Sequence, residues 1–460
     1  MSEPIGARSW LVFFTVSLCT FQTSLSLSIM FVAFPDLRES FPGVSDASLS
    51  WVLNLYTVVA AASMIVAGAI GDRWGRKRAL VTGELGFVAA SVLCALAPGP
   101  GVLIAGRAVQ ALASTLVTPA GAALIVAAFP ESRRATAVGM WSASGAAAAA
   151  VGPSVGAALV DAGGWRWAFW INLPGGLVGI ALALLLLEEQ RPSVARRIPD
   201  LFGAVVLMAG VGLVVLGLVQ SSRWGWSDVR IPALLVGGVV LLVWLIGRSR
   251  RHPTPILELS LFRYPAFRLA NAGSLVFGLG FFSMFFGYVL FLTEVWSEST
   301  LHAGLLMTPV PIATGILSVV GGRVADRLGH RWLMMVGGAA WAAGGLWLFL
   351  AAGDTANLAI WLVGLSALGI GAGLVWPSIF AATVIGMPSD SFATATGINQ
   401  TIQRISTALA VAVAVVLLSD GFGVGDRGSF GRLFVVTVLS GVGAIIVGSR
   451  LDTRPKEPMS

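Results

Sequence analysis

Arg107 is the residue in this chain most able to do chemistry. It stands inside the apolar run 101–128, and a charge in the middle of a membrane-length run costs at least ~2.5–3.5 kcal/mol on insertion scales, so it is kept for function or firmly paired. Gln110, Ser114 and Thr118 follow at helical steps of three or four, which puts them on one face. One reading is a polar lining whose fixed positive charge responds to a proton or a bound molecule. The other is a guanidinium tied to backbone carbonyls of a neighbouring helix. Arg404, early in the run 391–418, has the same two readings and a third, in which it snorkels to the interface.

Acids are scarce where they would matter. Of 22 Asp and Glu residues, Glu84 and Glu294 alone fall within apolar limits, with Asp161 at the edge of one. Glu84 lies little more than a turn into its run and near Arg76, Lys77 and Arg78. It reads either as a salt bridge steadying the loop or as a proton site. A hydroxyl-rich stretch carries Gln22, Thr23, Ser24, Ser26 and Ser28, while Asn54, Asn271 and Asn399 add amides that bond between helices. Tyr56, Trp141, Tyr288 and Trp376 could stack on a flat or cationic guest, although most tryptophans in such a chain are interfacial or packing residues.

Other chemistry is unsupported. The phosphate-cradling G-x-x-x-x-G-K-[ST] is missing. His252, His302 and His330 are scattered without metal-ligand spacing, and Cys19 and Cys94 sit in apolar runs as packing residues. The chain therefore reads as a non-enzyme with no cofactor and no metal.

The elements that hold these residues follow from composition. Hydrophobic residues make up 56% of the 460 and charged residues 11%, against about 25% charged in soluble domains; mean hydropathy is +0.87. No soluble interior hides that much apolar surface, so the solvent is lipid. Fourteen runs are long enough to span it: 10–33, 49–70, 79–98, 101–128, 135–159, 167–187, 201–220, 231–247, 268–293, 302–322, 333–352, 356–385, 391–418 and 432–449. The first run is too long for a signal-peptide core and is read as a span. With the N-terminus inside, 20 Lys and Arg fall in inner loops and 6 in outer ones, which predicts both termini in the cytoplasm. The net charge of +7 thus belongs to loops facing an anionic leaflet and not to nucleic-acid binding.

An internal repeat organises the runs. Gly68-Ala69-Ile70-Gly71-Asp72-Arg73-Trp74-Gly75-Arg76-Lys77-Arg78 closes the second, and Gly322-Arg323-Val324-Ala325-Asp326-Arg327-Leu328-Gly329-His330-Arg331 closes the tenth. Each places Asp four residues after Gly, then Arg, then Gly three beyond the Asp. Such a cluster can latch two rigid halves at the inner face, the acid pairing with arginines or capping a helix and the glycines permitting a tight turn.

These motifs resemble the major facilitator superfamily. The loop after the second run looks like its signature G-x-x-x-D-R-x-G-R-[KR]-[KR], and Leu103 to Ala111 resembles its intramembrane arginine motif. Gly152-Pro153-Ser154-Val155-Gly156 resembles its antiporter motif, with Ala148 and Ala157 where glycine is usual. Trp165 to Gly175 resembles the W-R-W-x-F-x-I-N-x-P-x-G segment of the fourteen-helix drug:proton antiporter branch, and Asn399 to Arg404 resembles that branch's thirteenth span. The first span departs from the pattern: Ser26 stands where the branch carries a buried aspartate.

The resemblance implies an all-α polytopic membrane protein of the major facilitator fold with fourteen transmembrane helices (6 + 2 + 6). Residues 1–190 would form one six-helix bundle, 191–265 a two-helix insertion with cytoplasmic linkers, and 266–460 the second bundle and a short tail. It further implies a monomeric secondary transporter of a bacterial inner membrane that exports amphipathic, drug-like small molecules in exchange for protons. Arg107, Gln110, Glu84 and Arg404 would serve coupling. Gly68, Asp72, Arg73, Gly75, Arg76, Asp326, Arg327 and Gly329 would gate the inner face, and Gly152, Pro153 and Gly156 would form a moving helix contact. Gln22, Ser26, Asn54, Tyr56, Trp141, Tyr288, Trp376 and Asn399 would line a central cavity. The absence of the aspartate at Ser26 points to neutral or anionic cargo. Two alternatives stay open: an exporter of one endogenous metabolite or lipid, and a transport-dead sensor or scaffold.

Overall fold

The computed structural model describes residues 6–130, 134–190, 200–387, 392–418 and 427–451, apart from some side chains within helices. Every regular element among them is helical, as lipid demands of a chain that must satisfy its own backbone polar groups. Thirteen helices are long and apolar enough to cross a membrane, and the 30-residue α6 (Arg134–Gly163) makes fourteen.

The first compact unit comprises residues 1–256 and 299–305. It holds α1 (Ala7–Ser40), α2 (Asp46–Leu49), α3 (Trp51–Trp74), α4 (Arg76–Ala95), α5 (Pro100–Ala128), α6, α7 (Trp167–Trp170), α8 (Asn172–Leu186), α9 (Leu201–Trp224) and α10 (Arg230–Ser249). The second comprises 257–298 and 306–460, with α11 (Pro265–Glu294), α13 (Pro309–Leu328), α14 (His330–Ala351), α15 (Leu358–Ala382), α16 (Phe392–Leu418) and α17 (Arg427–Arg450). The short α12 (Thr300–Leu306) falls almost wholly in the first.

The repeat seen in the loops extends to packing. In the first unit α1 packs on α6 and α8, α4 on α5 and α8, and α3 on α5; in the second α11 packs on α16 and α17, α14 on α15 and α17, and α13 on α15. The pairings match helix for helix. Outside them, α9 and α10 pack on each other and α9 leans on α3.

Local chemistry sets the ends and breaks. Pro100 and Pro265 open α5 and α11, where the missing N–H costs nothing. Gly75 and Gly329 turn the chain between helices at φ 119° and 78°, a region closed to most side chains, so both copies of the loop signature use glycine in the same way. Three expected runs are interrupted: the second is prefaced by α2, the sixth splits into α7 and α8 ahead of Pro174, and the tenth splits into α12 and α13 ahead of Pro309. Each proline lacks a donor for the preceding turn.

The cores differ in texture. In the first unit Val16, Leu80, Val117, Trp141 and Ile180 belong to a mainly aliphatic cluster. The second is aromatic, with Phe291 stacked on Trp361 at 5.5 Å and Phe277 against Trp341 at 4.8 Å. There α14 approaches its neighbours backbone to backbone: a Cβ on Gly337 would lie 2.9 Å from Gly371 O, one on Gly344 2.8 Å from Gly364 O, and one on Gly338 2.8 Å from Gly441 O.

Asp200 anchors the two-helix pair. Its Oδ1 accepts from Gly203 N at 2.9 Å, capping α9, and its carboxylate accepts from Arg248 of α10. Donation from Arg248 holds the Asp200 carboxyl below the ordinary carboxylate range. Its contribution is therefore complete above about pH 4 and is lost as acidification passes through the lowered value. Replacing Asp200 by Ala should lower the thermal midpoint of the detergent-solubilised protein by the equivalent of about 1–2 kcal/mol at neutral pH. That difference from wild type should shrink on acidification below pH 4; a difference constant with pH would overturn the assignment.

Candidate functional site: a buried polar network around Arg107

Arg107 is fully buried on α5. Its Nε donates to Val52 O of α3 at 3.0 Å, its Nη1 to Gln110 Oε1 at 2.5 Å, and the guanidinium lies 4.2 Å over the Tyr56 ring. The guanidinium is therefore tied to a neighbouring backbone, as the second reading has it, and also to a polar side chain on its own helix. No carboxylate pairs with it among the described residues, and Nη2 has no hydrogen-bond partner there.

The chain continues away from it. Gln110 Nε2 donates to Ser91 Oγ of α4 at 2.8 Å, and Asn172 Nδ2 of α8 donates to the same hydroxyl at 3.3 Å and to Ser26 Oγ of α1 at 3.4 Å. Gln22 Nε2 donates to Asn172 O at 2.8 Å. Five helices thus meet through one relay of side chains and two backbone carbonyls, those of Val52 and Asn172. Gln22, Ser26, Gln110 and Arg107 were legible as polar groups within spans. Ser91 and Asn172 were missed, and the one available signal was the place of Asn172 in the Trp165–Gly175 segment. Ser114 and Thr118 bond locally, to Ala111 O and Ser114 O, and take no part.

Glu84, also on α4, is fully buried, and neither carboxyl oxygen has a hydrogen-bond partner among the described residues. The salt bridge with the nearby bases does not form. Arg76 Nε donates to Asp72 at 3.3 Å and its Nη1 to Ala123 O at 3.3 Å. Lys77 Nζ donates to Leu184 O and Leu187 O at 2.8 and 2.7 Å, closing the carbonyl end of α8, and Arg78 pairs with Glu189 at 3.7 Å. The Glu189 carboxylate in turn accepts from Lys77 N and Arg78 N at 3.1 and 3.2 Å. The start of α4 and the end of α8 cap each other.

The remaining residues expected to gate lie apart from this network. Gly68 faces Pro119, where a Cβ would sit at 3.5 Å, and Arg73 is exposed. Asp326 and Arg327 end α13, but their side chains lie outside those described. On α6, a Cβ on Gly152 would lie 2.5 Å from Ser28 Cβ, and one on Gly156 3.1 Å from Ile29 Cα. The small-residue face therefore packs on α1. Pro153 O and Ala157 lie on another side, 2.6 and 2.5 Å from where a Cβ on Gly304 would be, within the same unit.

Several cavity candidates are enclosed. Asn54 donates to Ser50 Oγ, just ahead of α3, at 3.3 Å. Trp141 donates to Thr20 Oγ1 at 3.0 Å inside the aliphatic core. Tyr288 shares a hydrogen bond with Thr437 at 3.0 Å and packs on Phe434. Neither of these two rings presents an open face, because an aromatic on a two-sided helix can serve the core as well as a cavity. Trp376 is half-buried beside Phe281 at 5.6 Å. Asn399 donates to Asn271 Oδ1 at 3.0 Å and Ser274 Oγ at 2.8 Å, a smaller α11–α16 amide cluster. Arg404 is half-buried on α16.

Removing the Ser91 hydroxyl strands two buried amide donors, from Gln110 and Asn172. Ser91→Ala should cost about 1–3 kcal/mol, read as a lower thermal midpoint in detergent; a midpoint equal to wild type would show that the two amides find other partners.

Comparison with known proteins agrees with the motifs. A model of the Major Facilitator Superfamily matches residues 16–411 and 271–459. The chain is 32% identical to "Multidrug resistance protein Stp" of Mycobacterium tuberculosis, over 85% of its own length and 73% of the relative's. It is 32% identical to the "Probable actinorhodin transporter" of Streptomyces coelicolor, over 89% and 72%. To the "Tetracenomycin C resistance and export protein" of Streptomyces glaucescens it is 27% identical, over 91% and 78%. Among solved structures, a POT family transporter in complex with 5-aminolevulinic acid superposes with a TM-score of 0.67 at 16% identity, covering 95% of this chain and 94% of the other, a likeness of fold. With fourteen membrane helices, matching bundles and both loop signatures in place, this chain is a member of the Major Facilitator Superfamily of transporters.

Proposed function

We propose that this protein exports neutral or anionic amphipathic small molecules across the bacterial inner membrane by alternating access, in exchange for protons. The observation that carries the reading is Arg107, a buried guanidinium with a backbone and an amide partner but no carboxylate among the described residues. Burying an unbalanced charge in a span is costly, and a scaffold gains nothing by it. A transporter does, because a fixed cation attracts an anionic or electron-rich guest and answers any change of charge nearby. The relatives named for multidrug resistance, actinorhodin transport and tetracenomycin C resistance and export support a drug-like cargo.

In this reading residues 1–190 and 266–460 are the working bundles and 191–265 the insertion. The Asp72 loop and its Asp326 counterpart act as inner gates, with Gly75 and Gly329 as the turns that let them re-form. Gly152 and Gly156 keep α6 close on α1 while Pro153 softens the helix. Trp376 and its aromatic neighbours offer a flat surface for an uncharged ring. A second reading, export of one endogenous metabolite, is favoured by relatives named for single antibiotics.

Inverted membrane vesicles carrying a pH-sensitive dye, challenged with a compound panel under an imposed proton gradient, test both. Cargo-dependent proton movement for neutral or anionic compounds is expected, broad in the first reading and confined to one chemotype in the second. Arg107→Ala should reduce it at least tenfold with unchanged membrane levels. Protonophore-sensitive tolerance to quaternary ammonium dyes would refute the cargo class, and an Arg107→Ala protein that transports normally would refute the role of the guanidinium.

A further inference from the structure

The relay from Arg107 ends beside a carboxyl that no assigned interaction uses. We infer that Glu84 is the intramembrane proton-binding group of this chain and that Gln22 links it to the Arg107 network. The inference deepens the proton-exchange reading and rests on it for its role in transport, though not for the existence of the site.

Four observations carry it. Glu84 is fully buried, and both its oxygens lack a hydrogen-bond partner among the described residues. The three bases nearest in sequence are engaged with Asp72, with the carbonyls of α5 and α8, and with Glu189. An ionised carboxyl in that enclosure would have neither donor nor counter-charge, so the enclosure accepts it with its proton on. Last, the site is built around it. A Cβ on Gly176 would run into Val88 and lie 2.9 Å from Gln22 Nε2 and 3.4 Å from Glu84 Oε1. A bare glycine on α8 thus lets the Gln22 amide and the Glu84 carboxyl border the same point.

The charged and titratable neighbours are few. Of the elements packed against α4, α7 and α8 carry none. The α5 helix brings Arg107 alone, and α3 brings Tyr56, Asp72 and Arg73, with Asp72 accepting from Arg76. From α1 comes the Cys19 thiol, 2.9 Å from where a Cβ on Gly179 would lie. Arg107 is therefore the one full charge within the span that the relay connects to this carboxyl.

The step balances simply. The carboxyl gives its proton to water and keeps the electron pair as a carboxylate, which then needs a donor. Gln22 Nε2, now given to Asn172 O at 2.8 Å, is the amide at hand. Turning it toward Glu84 frees the backbone carbonyl of Asn172, the residue whose side-chain amide shares the Ser91 hydroxyl with Gln110, which holds Arg107. Loss of the proton thereby acts on the α8 residue whose side chain stands two hydrogen bonds from the amide that holds the cation.

The test uses full-length protein in lipid vesicles and needs no cargo at first. Infrared difference spectra between acid and alkaline buffer should show the carbonyl band of a buried protonated carboxyl. The band should be absent in Glu84→Gln, which is near-isosteric and should match wild type in thermal midpoint, and present but displaced in Glu84→Asp. With a cargo from the compound panel, Glu84→Gln should lose uphill, proton-driven export at least tenfold while keeping cargo-for-cargo exchange, and Glu84→Asp should recover part of the export. A band unchanged in Glu84→Gln, or proton-driven export unchanged in it, overturns the assignment and leaves proton exchange standing. A band that Glu84→Gln removes, in a wild-type protein that moves no protons with any cargo, supports the site and overturns the exchange reading instead.

Discussion

Lipid donates and accepts no hydrogen bonds, and the structure is organised by that refusal. Each polar side chain within the spans must find its match on another helix or on its own preceding turn. Thr15, Ser63 and Ser378 take the second course, bonding the carbonyl four residues back. Arg107 cannot, because one carbonyl does not satisfy five donors. It draws in Val52, Gln110, Ser91, Asn172, Ser26 and Gln22 across five helices. The atoms still unmatched in this set, Arg107 Nη2, Gln22 Oε1, Asn172 Oδ1 and both Glu84 oxygens, are those with most to gain from a guest, a proton or water. Structure and proposed exchange thus share one cause.

At the ends of the spans the same constraint takes another form. Helix termini leave donors and carbonyls unmatched, and the first unit settles two such ends against each other through Lys77 and Glu189. Lys77 is thereby committed to a helix end, while Arg76 is held by Asp72 and Ala123 O and Arg78 by Glu189, and none of these three neutralises Glu84. The glycine turns at Gly75 and Gly329 keep each loop short.

Much of the fold was legible in the sequence. Spans are dictated by apolar length, so most expected limits fall within a few residues of the helices, whereas the breaks ahead of Pro174 and Pro309 were not read, since Pro35, Pro119, Pro153 and Pro377 sit inside unbroken helices. Arg107 and Gln110 were legible as a pair because three residues along a helix is one face. Ser91 and Asn172 were not, because a serine or an asparagine gains its role from the helix it meets and not from its neighbours in sequence. Trp141 and Tyr288 show the converse: their side chains suit a cavity, yet packing within each bundle encloses them. For Glu84, nearness in sequence to three bases suggested pairing, and the partners those bases take elsewhere decided otherwise.

One feature of the second unit limits how that unit can work. The glycines of α14 bring its backbone against α15 on one side and α17 on the other. Contacts of that kind hold no deformable side chains, so small displacements are resisted from both flanks at once. The same close approach joins α15 to α13, where a Cβ on Gly369 would lie 2.6 Å from Val310 O and one on Gly373 2.9 Å from Thr314 O, so these four helices behave as a single stiff plate and any flexing within this bundle falls to α11 and α16.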